Sequence, residues 1–183
     1  MLALLFALLA TPVAPNDVTR GRYEAGVGLG MLAGPIVGAE DILMVGPALT
    51  MSTRLGGSLF LSFDVAVAPA SGLVGFRGVS PGLPGGPMGR AAFGGGWHFQ
   101  VHESVSISSE FAAFLGLASF RSGDVGGSAF AIGVSPGATL VWKLTENIAI
   151  AGRVHVDWSP LHTGARRGLY LFGGVALEPT FTW

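Results

Sequence analysis

Apolar and small or polar positions alternate along the last fifteen residues of the chain, from Leu169 to Trp183. One parity is mostly apolar and ends on Phe181 and Trp183, whereas the other includes small and polar side chains such as Glu178. A period of two is typical of a β-strand whose two faces meet different media. The end of the chain is therefore predicted to be a strand with one face in an apolar environment.

Segments with the same period recur from Tyr23 onward, and together they predict eight strands. We place them at residues 23–32, 43–54, 57–68, 89–101, 105–118, 128–142, 147–158 and 169–183. About 10 residues suffice for a strand tilted by about 45° to cross the hydrocarbon core of a bilayer. Each of these segments is long enough to do so.

The connections between these strands alternate in length. Those after the second, fourth and sixth strands are short (Leu55–Gly56, His102–Ser104 and Lys143–Glu146), whereas the others are longer, and the longest covers residues 69–88. Outer-membrane barrels have an even number of strands, short periplasmic turns and longer extracellular loops. We therefore predict an all-β fold, a closed antiparallel up-and-down transmembrane β-barrel of eight strands over residues 23–183, integral to the outer membrane. Both termini are expected to be periplasmic, and we expect a monomer because closure removes free sheet edges.

Composition agrees with a protein that lies in lipid. Half of the 183 residues are hydrophobic and only 11% are charged, whereas soluble domains carry about 25% charged residues. The apolar residues are dispersed among 30 glycines and never form the run of about 18 that a membrane helix requires. High hydrophobicity without such a run favours a β-barrel.

The amino-terminal segment has the order of a secretory signal. Residues 2–10, LALLFALLA, are apolar and are followed by Thr11-Pro12 and Ala14, although no Lys or Arg precedes them. We predict a signal peptide over residues 1–14 and a short segment over residues 15–22 before the barrel. The alternative is an amino-terminal strand or a buried helix of a soluble protein.

Charge and residue types exclude several functions. The net charge is -1 and the largest basic cluster is Arg166-Arg167, so the chain lacks the basic stripe that nucleic acid requires. The chain has no cysteine, which excludes disulfides and thiolate chemistry. Gly28 to Ala33 matches a dinucleotide fingerprint, but no amphipathic helix follows it, and we expect no cofactor.

The histidines do not predict a metal site. His98 and His102 share a face but lie about 13 Å apart along a strand, too far for one metal. His155 and Asp157 lie about 7 Å apart, and Arg153 nearby favours a salt-bridged strand instead.

The second face of the strands carries charged residues that would point into the barrel. An eight-stranded barrel is just wide enough to be filled by side chains, and unpaired buried charge is costly. We therefore predict a paired network that plugs the lumen, with Arg153 and Glu178 as partners on adjacent strands. Its members are Glu24, Arg54, Asp64, Arg90, His98, Glu110, Arg153, His155, Asp157 and Glu178.

Aromatic residues collect near the predicted strand ends, as interfacial girdles require. They are Tyr23, Phe99, Trp142, Phe181 and Trp183 on the inner side, and Phe120 and Trp158 on the outer side.

Three prolines, Pro47, Pro136 and Pro179, fall inside predicted strands. Each removes a hydrogen-bond donor from the ladder. We expect bulges or bends at these positions, or strands that end earlier.

The segment Leu177–Trp183, the eight-strand pattern and the turn lengths together carry a family resemblance. The chain resembles the small outer-membrane β-barrel proteins, the group of the OmpA transmembrane domain and OmpX-like barrels, over residues 23–183. Members typically end on an aromatic residue, most often Phe, which the barrel-assembly machinery reads as a signal. Here Trp183 replaces Phe, and Pro179 interrupts the alternation. The resemblance implies a β-barrel fold and a location in the outer membrane. The functions of the family range over anchoring, adhesion, small-solute passage and lipid modification.

We expect a structural or surface-interaction role in which extracellular loops form the contact surface. Outer-membrane lipid is the expected partner, and Arg166 and Arg167 are candidates for contact with lipopolysaccharide phosphates. One alternative is a narrow small-solute channel that passes Arg153 and Glu178.

Another alternative is a lipid-modifying enzyme with a Ser, His and carboxylate triad on the lipid-facing wall. In the predicted loop 157–167, Ser159 and His162 lie at the correct end of the barrel, while His102-Glu103-Ser104 has the residue types at a predicted periplasmic turn. We do not expect an enzyme. The alternative fold is a soluble lipocalin-like barrel, which predicts apolar residues inside around a ligand and polar residues outside.

Overall fold

The structure is a computed structural model that describes residues 22–37, 42–75, 84–122, 125–163 and 170–182. Ten β-strands occupy most of these ranges. They are β1 (Arg22–Val37), β2 (Ile42–Gly56), β3 (Leu59–Ala68), β4 (Ser71–Gly75), β5 (Pro84–Gly85), β6 (Met88–His102), β7 (Val105–Ser122), β8 (Val125–Lys143), β9 (Ile148–Thr163) and β10 (Tyr170–Thr182). Within the described ranges, no helix has the length and apolar character to span a membrane.

Eight of these strands close into a barrel in which every neighbouring pair is antiparallel. The order around the sheet is β1-β10-β9-β8-β7-β6-β3-β2, and β2 pairs back with β1. The closing ladder joins the first and last strands, with Glu24 opposite Thr182 and Ala33 opposite Gly173. The predicted fold, a closed up-and-down barrel of eight antiparallel strands, is confirmed.

The predicted loop 69–88 is wrong in part, because it contains two further short strands. β4 pairs with β2 beyond the long-loop end of β3, and β5 pairs with β4. The Ser71 hydroxyl donates to the Gly86 carbonyl oxygen at 2.7 Å and ties this ribbon together. The ribbon therefore extends the barrel wall beyond β3.

Most predicted strands are too short at their long-loop ends. β7 continues to Ser122 and β8 begins at Val125, although residues 119–127 were predicted to be a loop. β9 likewise continues to Thr163, into the predicted loop 157–167. A strand of 19 residues such as β8, at about 3.3 Å per residue and a tilt of about 45°, is taller than the hydrocarbon core of about 30 Å. The backbone hydrogen bonds between strands continue beyond the hydrocarbon core. There, glycine and serine replace the alternating apolar residues.

The short connections are close to their predicted places. The first one lies at Gly57–Ser58 rather than Leu55–Gly56, because β2 runs through Gly56. Gly56 has a φ of 140°, and a Cβ there would overlap the Leu59 carbonyl oxygen. Only glycine adopts this conformation without strain, so Gly56 allows the tight reversal.

The two faces of the strands have the predicted orientation. On β3, Leu59, Leu61 and Phe63 are exposed, whereas Ser62 and Asp64 between and after them are buried. Exposed apolar residues of this kind recur on all eight barrel strands. A soluble lipocalin-like barrel requires a polar outer face, so that alternative is wrong.

The barrel interior has two halves of different polarity. From the short turns up to Arg90 and Asp157 it contains the arginines, carboxylates and hydroxyls described below, with Ala66, Ala92 and Ala112 among them. From the level of Arg90 to the long loops it is mainly apolar, with Leu32, Met44, Met88 and Phe114 all at most 2% exposed. Buried alanines at 48, 68, 118, 129 and 131 complete this apolar half.

The three strand prolines lie inside continuous strands, so the expectation of earlier strand ends is wrong. Each lies where one flanking ladder is interrupted. The partner of β2 changes from β3 to β4 around Pro47, the β8–β9 pairs skip Pro136, and the β1–β10 pairs skip Pro179. Of the expected bulges, register shifts are found near two of the prolines in the described ladders. One lies between Ile132 and Val134, near Pro136, and the other lies between Ala33 and Ile36 of β1, opposite Val45 near Pro47. The missing N–H of each proline coincides with a gap in the ladder, which explains how a closed barrel accommodates them.

Candidate functional site

Arg90 on β6 lies at the centre of a layer of polar side chains that crosses the barrel interior. Its Nε donates to Asp157 Oδ2 at 2.7 Å and one Nη donates to Asp157 Oδ1 at 3.1 Å. The other Nη donates to Asp64 Oδ2 at 2.6 Å, and the Ser135 hydroxyl accepts a further bond at 2.6 Å. All three guanidinium nitrogens are therefore engaged. The layer joins β3, β6, β8 and β9, which lie on opposite sides of the lumen.

The burial of this layer makes its charge pairing important. The side chains of Arg90 and Asp157 are 3% and 0% exposed. Two carboxylates share one guanidinium, and His155 Nε2 lies 3.8 Å from Asp157 Oδ2. Charges removed from water in this way are tolerated only when they are paired and hydrogen-bonded.

Arg54 on β2 lies at the centre of a second group, nearer the short turns. Its guanidinium donates to the Ser108 hydroxyl at 3.1 Å and the Thr139 hydroxyl at 2.6 Å, and lies 3.5 Å from Glu110 Oε2. The same guanidinium stacks over the Phe60 ring at 4.8 Å from its centroid, a cation–π geometry. Arg54 thus connects β2 to β3, β7 and β8.

The structure brings together Arg153 and Glu178, which the sequence placed on adjacent strands. One Nη of Arg153 lies 3.6 Å from Glu178 Oε2, and the same oxygen accepts a hydrogen bond of 2.7 Å from the Ser52 hydroxyl. Glu178 is only 1% exposed. A Cβ at Gly28 on β1 would overlap the backbone of Leu177 and Glu178, so glycine at this position makes room for the buried carboxylate.

The two remaining members of the predicted network lie towards the short-turn end. Glu24 faces Arg54 in the β1–β2 register and is partly exposed. His98 Nδ1 lies 3.0 Å from the Ser108 hydroxyl, which also accepts a bond from Arg54. The ten predicted residues therefore divide into the Arg90 layer, the Arg54 and Arg153 groups, and this short-turn end.

Sequence reasoning missed the hydroxyls that complete these groups. Buried serines and threonines occupy the same strand faces as the charged residues: Ser52, Ser62, Ser108, Ser135 and Thr139. Ser62, for example, donates to Glu110. Their parity is the signal that could have found them, since Ser108 and Glu110 stand two positions apart on β7.

The aromatic residues predicted at the membrane interfaces lie on the outer face wherever their side chains are described. Phe99, Trp142, Trp158 and Phe181 are exposed, and Tyr23 is half-buried. Further exposed aromatics, Phe63, Phe93, Trp97 and Phe111, lie between the two predicted girdles. Trp183 and the Phe120 side chain lie outside the described part of the chain.

The residues considered for an enzyme are not arranged as a lipid-facing triad where they are described. Ser159 is 1% exposed and donates to the Ile132 carbonyl oxygen at 2.7 Å. His102 Nδ1 lies 3.1 Å from the Ser104 hydroxyl within an exposed turn. The His162 side chain, Arg166 and Arg167 lie outside the described residues. Among the described residues, no group of three or more His, Asp or Glu side chains is placed to hold a metal ion.

The comparisons with known proteins agree with this fold. The sequence matches no protein-family model and no curated protein. Among solved structures, Ail, the attachment invasion locus protein of Yersinia pestis, has a TM-score of 0.60 at 17% identity, covering 90% of this chain and 100% of Ail. Neisserial surface protein A has a TM-score of 0.59 at 12% identity, covering 88% of this chain and 95% of that one. The N-terminal β-barrel domain of Pseudomonas aeruginosa OprF has a TM-score of 0.58 at 12% identity, covering 90% and 100%. The fold is that of the small outer-membrane β-barrels, and the resemblance drawn from the sequence is confirmed at that level.

Proposed function

We propose that this protein is an integral outer-membrane barrel whose lumen is closed to solutes, with a structural or surface-contact role. The Arg90 layer is the observation that carries the proposal. One guanidinium there binds side chains from three other strands across the interior. A solute would have to break these bonds and then pass the apolar half beyond them.

The outer face supports a place in lipid. Large apolar side chains such as Leu29, Phe93 and Leu177 are each more than 60% exposed, and a continuous apolar surface of this kind is unfavourable in water. In a bilayer the same surface is solvated by acyl chains. Outer-membrane lipid is therefore the proposed partner, and β10, the closing strand, is the proposed signal for the barrel-assembly machinery.

The two ends of the barrel differ in the way that this orientation requires. Short turns, such as Gly57–Ser58, lie at the end where β1 begins and β10 ends, and we assign that end to the periplasm. The extended β7–β8 and β4–β5 hairpins lie at the other end, and we assign them to the cell surface. Arg166 and Arg167 belong to the connection between β9 and β10, where they would meet lipopolysaccharide phosphates. Ail has been solved with the heparin analogue sucrose octasulfate, also a polyanion.

Conductance in planar bilayers tests the closed lumen. The folded wild type, identified by heat-modifiable migration on a gel, is expected to give no stepwise conductance, and neither is the Glu178→Ala variant. Because Glu178 lies closer to the short turns than the Arg90 layer does, the Glu178→Ala substitution leaves that layer in place. A stepwise current in the wild type that changes in the Glu178→Ala variant would contradict the closed lumen and support the small-solute channel.

Lipid A from cells that overproduce the protein tests the enzyme alternative. Because Ser159 points to the Ile132 carbonyl oxygen and not to lipid, we expect unaltered lipid A. A changed acylation pattern that is lost in the Ser159→Ala variant would contradict this expectation.

A further inference from the structure

The lumen contains a polar recess that begins at the short-turn end. Its mouth is lined mainly by polar side chains, among them Glu24, His98, Ser106, Lys143 and Glu146, and it has room for several water molecules. A smaller space lies deeper, between Arg54 and Arg153, with room for about one water molecule. Glu24 and Val141 line both spaces. The recess therefore leads from the short turns to the two arginines.

Two buried donors point to what occupies the deeper space. The Nε atoms of Arg54 and Arg153 have no hydrogen-bond acceptor among the described residues, although their Nη groups are engaged. The two side chains are only 6% and 9% exposed. A buried N–H without an acceptor is unfavourable, and buried water commonly satisfies such groups in polar spaces of this size.

His155 Nε2, in the Arg90 layer, and Thr50 Oγ1 are also buried without a hydrogen-bond partner among the described residues. Beyond that layer, towards the long loops, the described residues offer no further donor of this kind. Arg90 Nε already donates to Asp157, and beyond it lie the apolar side chains of Met44, Met88 and Ala118. Apolar space of this kind stays dry even when it is not fully packed. We therefore expect water in the short-turn half of the lumen and none among these apolar side chains.

We propose that the short-turn half of the lumen is an aqueous vestibule that ends blindly at a water-binding site between Arg54 Nε and Arg153 Nε. The apolar half is a dry seal. This proposal rests on the closed barrel proposed above and adds to it which part of the lumen exchanges with bulk water. The ligand is water because the space between the arginines is too small for an organic anion, and Glu110 and Glu178 already balance their charges.

The arginine side chains themselves provide the first test. In ¹⁵N-labelled protein in nanodiscs, the Nε–H signals of Arg54, Arg90 and Arg153 are assigned by single Arg→Lys variants. We expect cross-peaks with water for Arg54 and Arg153, and at least a tenfold slower exchange for Arg90. Equal protection of all three Nε–H groups would overturn the water site.

The absence of cysteine from the chain allows a second test by single substitutions. Ser106 and Ala118 are both buried and face inward on β7, one at the mouth of the recess and one opposite Met88 in the apolar half. In detergent, where both ends of the barrel are accessible, a small charged thiol reagent should modify the Ser106→Cys variant at least 100-fold faster than the Ala118→Cys variant.

Equal rates for the two folded variants would show that the apolar half is not a seal and would overturn the inference. If the wild type still gives no conductance, the closed barrel stands and only the hydration pattern is wrong. Conductance in the wild type would instead refute the proposed function on which the inference rests.

Discussion

Replacing Arg90 with methionine is expected to destabilise the barrel strongly. Methionine ends about where arginine has its Nε, so the substitution keeps an unbranched apolar stem and removes the charge and five hydrogen bonds. It leaves Asp64 and Asp157 as two buried carboxylates without their shared cation. Breaking a buried ion pair by removing one partner costs about 3–5 kcal/mol. We therefore expect a loss of about 4 kcal/mol, roughly a thousandfold in the unfolding equilibrium.

Urea unfolding in lipid vesicles measures this loss, with the fluorescence of the four tryptophans and the heat-modifiable gel shift as independent signals. The matched control combines Arg90→Met with Asp64→Asn and Asp157→Asn. Because the control has no unpaired charge, it should recover at least about 2 kcal/mol of the loss. A loss below about 1 kcal/mol for the single variant, or equal losses for the single and triple variants, would refute a buried charge layer.

The remaining predictions concern the two faces of the wall. Phe63 lies on the exposed face at the middle of β3. If lipid surrounds this position, Phe63→Arg should lower the free energy of unfolding in urea by about 2–4 kcal/mol, whereas Ser58→Arg in the exposed turn should not change it measurably. Equal stability of the two variants would contradict a lipid-facing belt. Gly28→Ala should cost about 1–3 kcal/mol because the new methyl group would overlap the Leu177 carbonyl oxygen. Gly89→Ala, with nothing within 4 Å of the new Cβ, should stay within about 0.5 kcal/mol, and similar melting of both variants would count against the close approach at Gly28.

Period-two alternation was sufficient to predict the barrel and the facing of its strands. Leu59 to Val67 alternate with Phe60 to Ala66 in the sequence, and the structure exposes the first set and buries the second, with Val65 half-buried. The physical reason is that each strand has lipid on one face and a narrow interior on the other. Every position must therefore suit one of these two environments, and successive positions alternate between them. Strand ends were predicted less well, because outside the hydrocarbon core this pattern no longer applies, as at Gly126 and Gly127 in β8.

Partners across the lumen could not be predicted in the same way. Arg153 and Glu178 stand on adjacent strands, and their proximity follows from the strand order. Arg90 and Asp157 stand 67 positions apart, on strands that are not neighbours in the sheet. Their contact depends on the tilt and stagger of the closed barrel, which fix the height of each side chain in the lumen.

The apolar half of the interior was missed for a different reason. Phe114 has the same parity as Glu110 on β7, so its inward direction could have been predicted. In this part of the strand both faces are apolar, however, and hydrophobicity alone does not distinguish lipid from a packed interior. Met44 and Met88 illustrate the same ambiguity, since a buried methionine and a lipid-facing one look alike in sequence.

Membrane fractionation combined with gel migration tests the central claim most directly. The protein is expected in the outer-membrane fraction, resistant to extraction by salt and carbonate, and to migrate differently on a gel before and after boiling. Release into the soluble phase by carbonate, with a single migration position in both samples, would contradict an integral outer-membrane barrel.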